Sequence, residues 1–278
     1  MFKKYLIIAS NADKAGMNIS EQLSKFRKNP IISSIKKEPS GFDFYFPEGE
    51  IIFTENIDAE KIKNYDFIIF ASKHVSEKNE KSICIHAPGN WKTAEYGGEE
   101  GKICRSSALF QKFLFEKIKK NAGSHDFKKY RITLECTHHG PLIEKPCLFV
   151  EIGSTETEWK DKRAGFIVAK AISESIEDFE ENPYREIAIG IGGPHYCPNF
   201  NKIQLNSNIA ISHIIPQYAL PFTEEMLNEA IKKTEEEIDF VVLDWKGIGI
   251  AEEREKIIRI LDENRISYKK TSDIQNKD

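Results

Sequence analysis

Short runs of β-branched and aromatic residues alternate along this chain with longer amphipathic stretches, and that alternation constrains the fold more than any other feature. The candidate strands are Lys4–Ser10, Asp43–Phe46, Ile51–Thr54, Asp66–Ala71, Ser82–His86, Ile132–Thr137, Leu148–Ile152, Glu186–Ile191, Ile209–His213 and Phe240–Asp244. The candidate helices are Asn18–Arg27, Ser106–Lys120, Glu156–Ile176, Glu224–Lys233 and Ala251–Asn264. Ser154-Thr155 followed by Glu158 is a capping-box signal for the third helix. The pattern predicts an α/β fold with a mixed central sheet flanked by helices. Pro47-Glu48-Gly49, between two candidate strands, predicts an antiparallel hairpin from Asp43 to Thr54. No repeat and no Pro/Ser-rich linker divides the 278 residues, so a single α/β catalytic domain is expected over 1–272, with a polar tail over 273–278.

Composition removes several classes of protein. Apolar residues at 40% and charged residues at 30% fit neither a disordered chain nor a membrane protein. The apolar run that follows Lys3-Lys4 is too short for the core of a signal peptide and reads as a first buried strand, so a cytoplasmic location is expected. Five cysteines, at 84, 104, 136, 147 and 197, form no CxxC pair, which argues against a disulfide framework and a zinc ribbon. The net charge of −4 disfavours a globally basic nucleic-acid binder, but the charge is segregated. Gln111 to Arg131 holds seven basic residues (Lys112, Lys117, Lys119, Lys120, Lys128, Lys129, Arg131) against two acidic ones, and Lys25 to Lys37 holds five with none. Thr223 to Asp239 reverses this, with seven acidic and two basic residues. One face of an acidic protein can therefore still meet a polyanion.

Histidines concentrate where such a scaffold places chemistry. Five of seven (His74, His86, His138, His139, His195) fall at or just past the C-terminal end of a predicted strand. Ligands of open α/β sheets bind outside those ends, on loops that a rigid scaffold positions. Imidazole titrates near neutrality and can move a proton or bind a metal. The densest motif is Glu135-Cys136-Thr137-His138-His139-Gly140-Pro141. Period two along a strand sets Glu135, Thr137 and His139 on one side, and Cys136 and His138 on the other. A turn at Gly140-Pro141 brings both histidines to the rim. The motif suits a general base with an orienting carboxylate, or a pair of metal ligands; the plainer reading is a strand end whose histidines cap backbone carbonyls. In Ile83-Cys84-Ile85-His86-Ala87-Pro88-Gly89-Asn90-Trp91, a strand delivers His86 to a Pro-Gly turn. Asn90 and Trp91 there either meet a ligand or close an ordinary turn.

Two further motifs lie beyond later strands. Gly190-Ile191-Gly192-Gly193-Pro194-His195-Tyr196-Cys197-Pro198 has glycines whose N–H groups could approach an anion, although it fits neither a P-loop nor GxGxxG. His195 with Cys197, or Cys84 with His86, could bind zinc, but spacings of two residues are thin metal evidence. Val150-Glu151-Ile152-Gly153-Ser154-Thr155-Glu156 leads a strand into a helix N-terminus, where capping outweighs anion binding and Glu151 stands as an acid, base or metal ligand. In Asp244-Trp245-Lys246-Gly247 the lysine either meets a phosphate or lies on a solvated turn.

At these motifs the chain resembles the archaeal and plant type of D-aminoacyl-tRNA deacylase. The resemblance rests on His86-Ala87-Pro88-Gly89-Asn90, Glu135 to Pro141, Val150 to Glu156, and Gly192-Gly193-Pro194-His195-Tyr196-Cys197-Pro198, in that order and separation. It spans nearly the full chain, and Cys-Thr-His-His-Gly-Pro is its most specific element. The family's His-Tyr-x-Pro motif usually has alanine where this chain has Cys197, which argues against Cys197 as a general zinc ligand. The resemblance implies hydrolysis of the ester between a D-amino acid and the 3′ end of tRNA, zinc dependence, and a fold similar to peptidyl-tRNA hydrolases and nucleoside phosphorylases.

Under that resemblance Glu135, His138 and His139 are the expected catalytic residues, and His86, His138, His195 and Glu151 the expected zinc ligands, with the division of roles among the histidines open. The oxyanion is expected to be held either by the N–H groups of Gly192 and Gly193 or by a zinc ion bound by several of His86, His138, His139, His195 and Glu151. Lys117, Lys119, Lys120, Lys128 and Lys129 are expected to meet acceptor-stem phosphates, and Trp91 or Tyr196 to stack on the terminal adenine. A monomer with no stable protein partner and no membrane contact is expected. Two alternatives compete: a hydrolase or phosphorylase of a small nucleoside or peptide, and a non-catalytic RNA-binding protein. The second is disfavoured because phosphate binding alone would select Lys and Arg over strand-end histidines.

Overall fold

The computed structural model describes residues 2–26, 41–125, 127–179, 184 and 186–275. The basic stretch ending at Lys37 therefore lies mostly outside the described residues, as do the last three positions of the expected tail. In chain order the elements are β1 (Lys4–Ile8), α1 (Lys14–Ser24), β2 (Gly41–Tyr45), α2 (Ala59–Ile62), β3 (Phe67–Val75), β4 (Ser82–His86), α3 (Ala108–Ser124), β5 (Arg131–Leu134) and β6 (Cys147–Ser154). There follow α4 (Glu156–Trp159), α5 (Lys162–Asp178), β7 (Glu186–Ile191), α6 (Pro198–Asn206), β8 (Ile209–Ile215), α7 (Glu224–Lys232), β9 (Phe240–Leu243), α8 (Ala251–Glu263) and β10 (Tyr268–Lys270). No helix among the described residues is long and apolar enough to cross a membrane.

The expected mixed sheet is present, with six strands in the order β2-β1-β3-β6-β4-β5. Its strands are parallel except where β6 meets β4. A second sheet, β10-β9-β7-β8, is wholly parallel. The expected hairpin does not form: β2 runs parallel to β1, from Lys4↔Gly41 to Ile8↔Tyr45, and residues 51–54 are a turn leading into a 3-10 turn at Thr54–Asn56. The reason lies in β1, whose Leu6, Ile7 and Ile8 are all buried, so that both its edges need parallel neighbours of the kind that helices cover. Gly49, at φ +85°, and the Asn56 amide on Glu50 O shape the loop instead. The helix read over 156–176 is two helices, because Asp161 accepts from Arg163 N and Ala164 N and starts a new N-terminus.

One apolar core holds side chains from both sheets and the helices between them, among them Tyr5, Phe67, Leu114, Phe200, Ile211 and Val242. Residues 135–138 form a backbone seam between the sheets. Glu135 N bonds Ile85 O on the first sheet, whereas Thr137 N bonds Ile214 O on the second and Cys136 N bonds His195 O in the loop that follows β7. A bridge from Pro88 to His138 closes the seam.

Candidate active site

The seam sets the geometry of the histidines. β5 ends at Leu134, so strict alternation ends there too, and His139 takes a left-handed conformation (φ +45°). His138 and His139 therefore share one cluster instead of pointing to opposite faces. Ring centroids lie 4.1 Å apart for His86–His138, 4.7 Å for His86–His139 and 4.4 Å for His138–His139. Each of these rings turns Nδ1 toward a backbone carbonyl: His138 to Cys136 O at 2.8 Å, His139 to Gly140 O at 2.6 Å, and His86 to Ala87 O at 3.2 Å. Nδ1–H donation fixes the tautomer and leaves each Nε2 with a free lone pair.

Those lone pairs face a carboxylate. Glu151, at the middle of β6, places Oε1 3.8 Å from His86 Nε2 and 3.7 Å from His139 Nε2. The His86 Nε2 atom is buried without a hydrogen-bond partner, as are both carboxylate oxygens of Glu135. Acceptors confronting acceptors in a dry interior are stable only with a cation or a proton between them. Protonation is disfavoured: burial, reinforced by the neighbouring imidazoles, pushes His138 well below the usual histidine range, and burial also lowers His86. Burial would raise both glutamates, yet the histidines reverse it, holding Glu135 below and Glu151 well below the carboxylate range. Ligand atoms of His86, His138 and His139 lie within 4.8 Å of one another. Three imidazole nitrogens beside a carboxylate fit a divalent metal.

His195 falls outside that triad. Its Nε2 is 3.3 Å from Glu135 Oε1, and its Nδ1 is 3.4 Å from Cys136 Sγ and 3.3 Å from the Tyr218 hydroxyl. Burial opposes its charge, but the contacts with Cys136 and Glu135 outweigh burial and raise it to about 10. Glu135 Oε2 is 4.0 Å from His138 Nε2, so the Cys136 carbonyl, not Glu135, orients that ring. Cys197, at φ +47°, is buried and turns its thiol to His195 O.

The cluster opens on a cavity of about 560 Å³ lined by His138, His139, His195, Glu151 and His74, and on a second of about 330 Å³ across His138 and His139. His74, counted among the strand-end histidines without a role, links both carboxylates: its Nδ1 is 3.3 Å from Glu135 and 3.5 Å from Glu151, and Nε2 bonds the Tyr196 hydroxyl at 3.0 Å. Its place at a strand end was legible, but β3 runs to Val75, beyond the expected end at Ala71, and so carries His74 into the cluster. Cys136 and Tyr218 gave no sequence signal as neighbours of His195.

Other expected residues are placed differently. The N–H groups of Gly192 and Gly193 are engaged, by Ile215 O at 2.8 Å and Gly247 O at 3.1 Å, so they are not free to receive an oxyanion. Both glycines, at φ +98° and +81°, instead let the chain pass close to Asp244. Trp91 is 7% exposed and donates its indole N–H to Ile214 O, so it forms cavity wall and offers no open face for stacking. Tyr196 has its hydroxyl tied to His74 and Ser76. Lys112 is fully buried, donating to Gln204 O and Ser207 O, and Lys117 pairs with Asp178. Lys119 is half-buried, while Lys120, Lys128 and Lys129 are exposed. Lys128 and Lys129 stand just before β5, about 20 Å along an extended chain from Glu135.

This α/β scaffold gathers imidazoles and carboxylates at the wall of a cavity, the kind of groups that move protons or hold a cation in hydrolases. The chain belongs to the D-aminoacyl-tRNA deacylase family, whose model matches residues 61–269. It is 32% identical over 275 residues to the D-aminoacyl-tRNA deacylase of Methanocaldococcus jannaschii, covering 96% of this chain and 99% of that protein. It is 34% identical over 257 residues to the D-aminoacyl-tRNA deacylase of Pyrococcus abyssi, covering 87% and 91%. Among solved structures, it is similar to the crystal structure of a conserved protein of unknown function, AF0625, with a TM-score of 0.82 and 29% identity over 97% of this chain and 95% of that one.

Proposed function

We propose that this cluster hydrolyses the ester joining a D-amino acid to the 3′ end of tRNA, releasing the free D-amino acid and reusable tRNA. The observation that carries the reading is the gathering of ligand atoms of His86, His138 and His139, with Glu151 beside His86 and His139, where His138, His139 and Glu151 line the larger cavity, in a chain of this family. An aminoacyl ester is already activated, so the enzyme needs an aimed water and stabilisation of the oxyanion.

Zinc is the ion we assign to His86, His138 and His139, with Glu151 beside them; His195 lies in an adjoining candidate group with Cys136 and His138. Zinc bound by three protein ligands polarises carbonyls and lowers the pKa of water. The chain's own residues orient the reaction. Glu135 and His195 form the pair that handles protons, Tyr218 orients the second nitrogen of His195, and His74 holds the two carboxylates in place. With the Gly192 and Gly193 donors engaged, the oxyanion would depend on the ion these imidazoles would hold, since their Nε2 atoms carry lone pairs and no proton. For the body of the tRNA, Lys119, Lys120, Lys128 and Lys129 are the proposed phosphate contacts, with Lys117 shared with Asp178. We place the protein in the cytoplasm, as a monomer with one catalytic domain over 1–272.

The test is hydrolysis of D-tyrosyl-tRNA and L-tyrosyl-tRNA, with and without chelator and zinc add-back. Rapid D-selective loss that requires zinc supports the full reading. D-selective loss after exhaustive metal removal keeps the activity and refutes the zinc assignment. Stability of both esters refutes the activity.

A further inference from the structure

Two cavities meet at the histidine cluster, where His138, His139 and Tyr96 line both. Their linings differ in charge. The larger contains three carboxylates, Asp13, Glu50 and Glu151, with Lys73 and four histidines. Asp13 is already committed, accepting from Ala15 N, Gly16 N, Lys73 N and the Ser72 hydroxyl, and Lys73 Nζ sits on Glu50 at 3.2 Å. Glu151 sits within the histidine cluster, 3.7 Å from His139 Nε2 and 3.5 Å from His74 Nδ1. Ile51, Ile52 and Val75 supply apolar wall.

The smaller cavity has no carboxylate excess, with Glu95 balanced by Lys92, and its wall is aromatic and hydrogen-bonding: Trp91, Tyr218 and Asn90. Tyr96 and Tyr218 stand at its rim with 66% and 61% of their surfaces exposed. Two open aromatic rings flanking a cavity form a platform for a nucleobase, since every base has a π-face to stack.

The substrate has a matching asymmetry. Its ester carbonyl carries an ammonium one carbon away on the acyl side, and an anionic phosphodiester beyond the ribose on the alcohol side. A carboxylate that reads the ammonium must lie beside the hydrolytic centre, whereas the phosphodiester is repelled by a carboxylate-rich lining.

We propose that the histidine cluster divides the substrate: the larger cavity takes the D-aminoacyl group, with its ammonium toward the carboxylate-rich lining and its side chain against Ile51, Ile52 and Val75, and the smaller takes the 3′-terminal adenosine between Tyr96 and Tyr218. This division rests on the deacylase reading above. It makes residues 51, 52 and 75 the determinants of amino-acid side-chain preference, and residues 92, 93, 96 and 218 those of the nucleotide.

Two exposed positions, one in each cavity, separate the lobes: Val75, 66% exposed, and Thr93. D-Tyrosinamide and adenosine monophosphate serve as competitive probes of D-tyrosyl-tRNA hydrolysis. In the wild-type protein the two inhibitors bind together, without mutual exclusion. Val75→Trp weakens D-tyrosinamide by about tenfold and shifts the preference between D-tyrosyl- and D-alanyl-tRNA by a similar factor, with adenosine monophosphate unchanged. Thr93→Trp weakens adenosine monophosphate by about tenfold and leaves the amino-acid preference alone. Thermal melts confirm that both variants fold. The reverse pattern, mutual exclusion of the inhibitors, or variants that move neither constant would each overturn the division. A wild-type protein that hydrolyses no D-aminoacyl-tRNA would instead fail the deacylase reading, so the two failures are distinguishable.

Discussion

His213 offers a test of the seam that carries the catalytic segment. It lies on β8, fully buried, with Nε2 3.2 Å from Lys233 O and Nδ1 3.2 Å from the Thr137 hydroxyl. Nε2–H donates to the carbonyl, so Nδ1 accepts from Thr137, the residue between Cys136 and His138. Burial pushes the imidazole down to about 4; the Lys233 carbonyl pulls it up, while the Lys233 charge lowers it further. The folded protein therefore holds His213 neutral, whereas the unfolded chain takes up a proton near the ordinary value of 6.5. A depressed histidine contributes stability that is complete above 6.5 and is lost as the pH falls toward 4. The gap from 6.5 to about 4, at about 1.4 kcal/mol per pH unit, amounts to about 3 kcal/mol. The assay is urea unfolding of wild type and His213→Gln at pH 7 and pH 4.5. The wild type should lose about 2–3 kcal/mol more than the variant over this interval. Equal losses, or an NMR titration of the His213 ring near 6.5, would refute the reasoning.

Further outcomes follow from the same geometry. His138→Ala should lower kcat for D-tyrosyl-tRNA by about 10²–10⁴, with a near-normal thermal melt, as read by single-turnover hydrolysis. Under the zinc assignment, His86→Ala should reduce bound zinc measured by elemental analysis of the purified protein, and a full complement of zinc in that variant would count against the assignment. Lys112→Met should cost about 3 kcal/mol in urea unfolding, because it strips the donor from two carbonyls at the end of α6, and it should leave affinity for tRNA unchanged because the residue is fully buried. If Lys128 and Lys129 each neutralise a phosphate, the double charge reversal should reduce the slope of log affinity against log salt by about 2, measured by filter binding.

The sequence made much of the scaffold legible because its strands are dense in β-branched residues and fully buried. The two-residue and helical periods around Ser82–His86, Leu148–Ile152 and Ala251–Asn264 reappear with shifts of a few residues at most. The hairpin over 43–54 was misread because a turn signal at Pro47-Glu48-Gly49 looks the same whether the chain returns antiparallel or runs on into a loop. Helix α6 and strand β10 were missed for want of length, the one being nine residues that begin with proline and the other three residues. At the site, the position of histidines relative to strands was readable, but their mutual order was not. Which nitrogen faces inward depends on carbonyls at Ala87, Cys136 and Gly140, and a backbone acceptor leaves no mark on residue identity. The fate of the Gly192 and Gly193 donors was equally hidden, since it was decided by Gly247 and Ile215, remote in sequence.

Because residues 135–138 are hydrogen-bonded on one side to the first sheet and on the other to β8 and the loop after β7, Glu135 and His138 meet the first-sheet groups His86 and Glu151 only through that joint. Their alignment is a measure of how the two halves of the molecule mate. A partial opening that detaches the second sheet while leaving the first intact would release His195, Cys136 and Thr137 together. Activity would then disappear at a smaller free energy than global unfolding, and amide exchange at Cys136 and Thr137 would report the mating of the halves rather than the stability of either. Catalytic competence in this protein is thus a property of the joint, and substitutions far from the cavity that loosen the joint would read, in an assay, as active-site mutations.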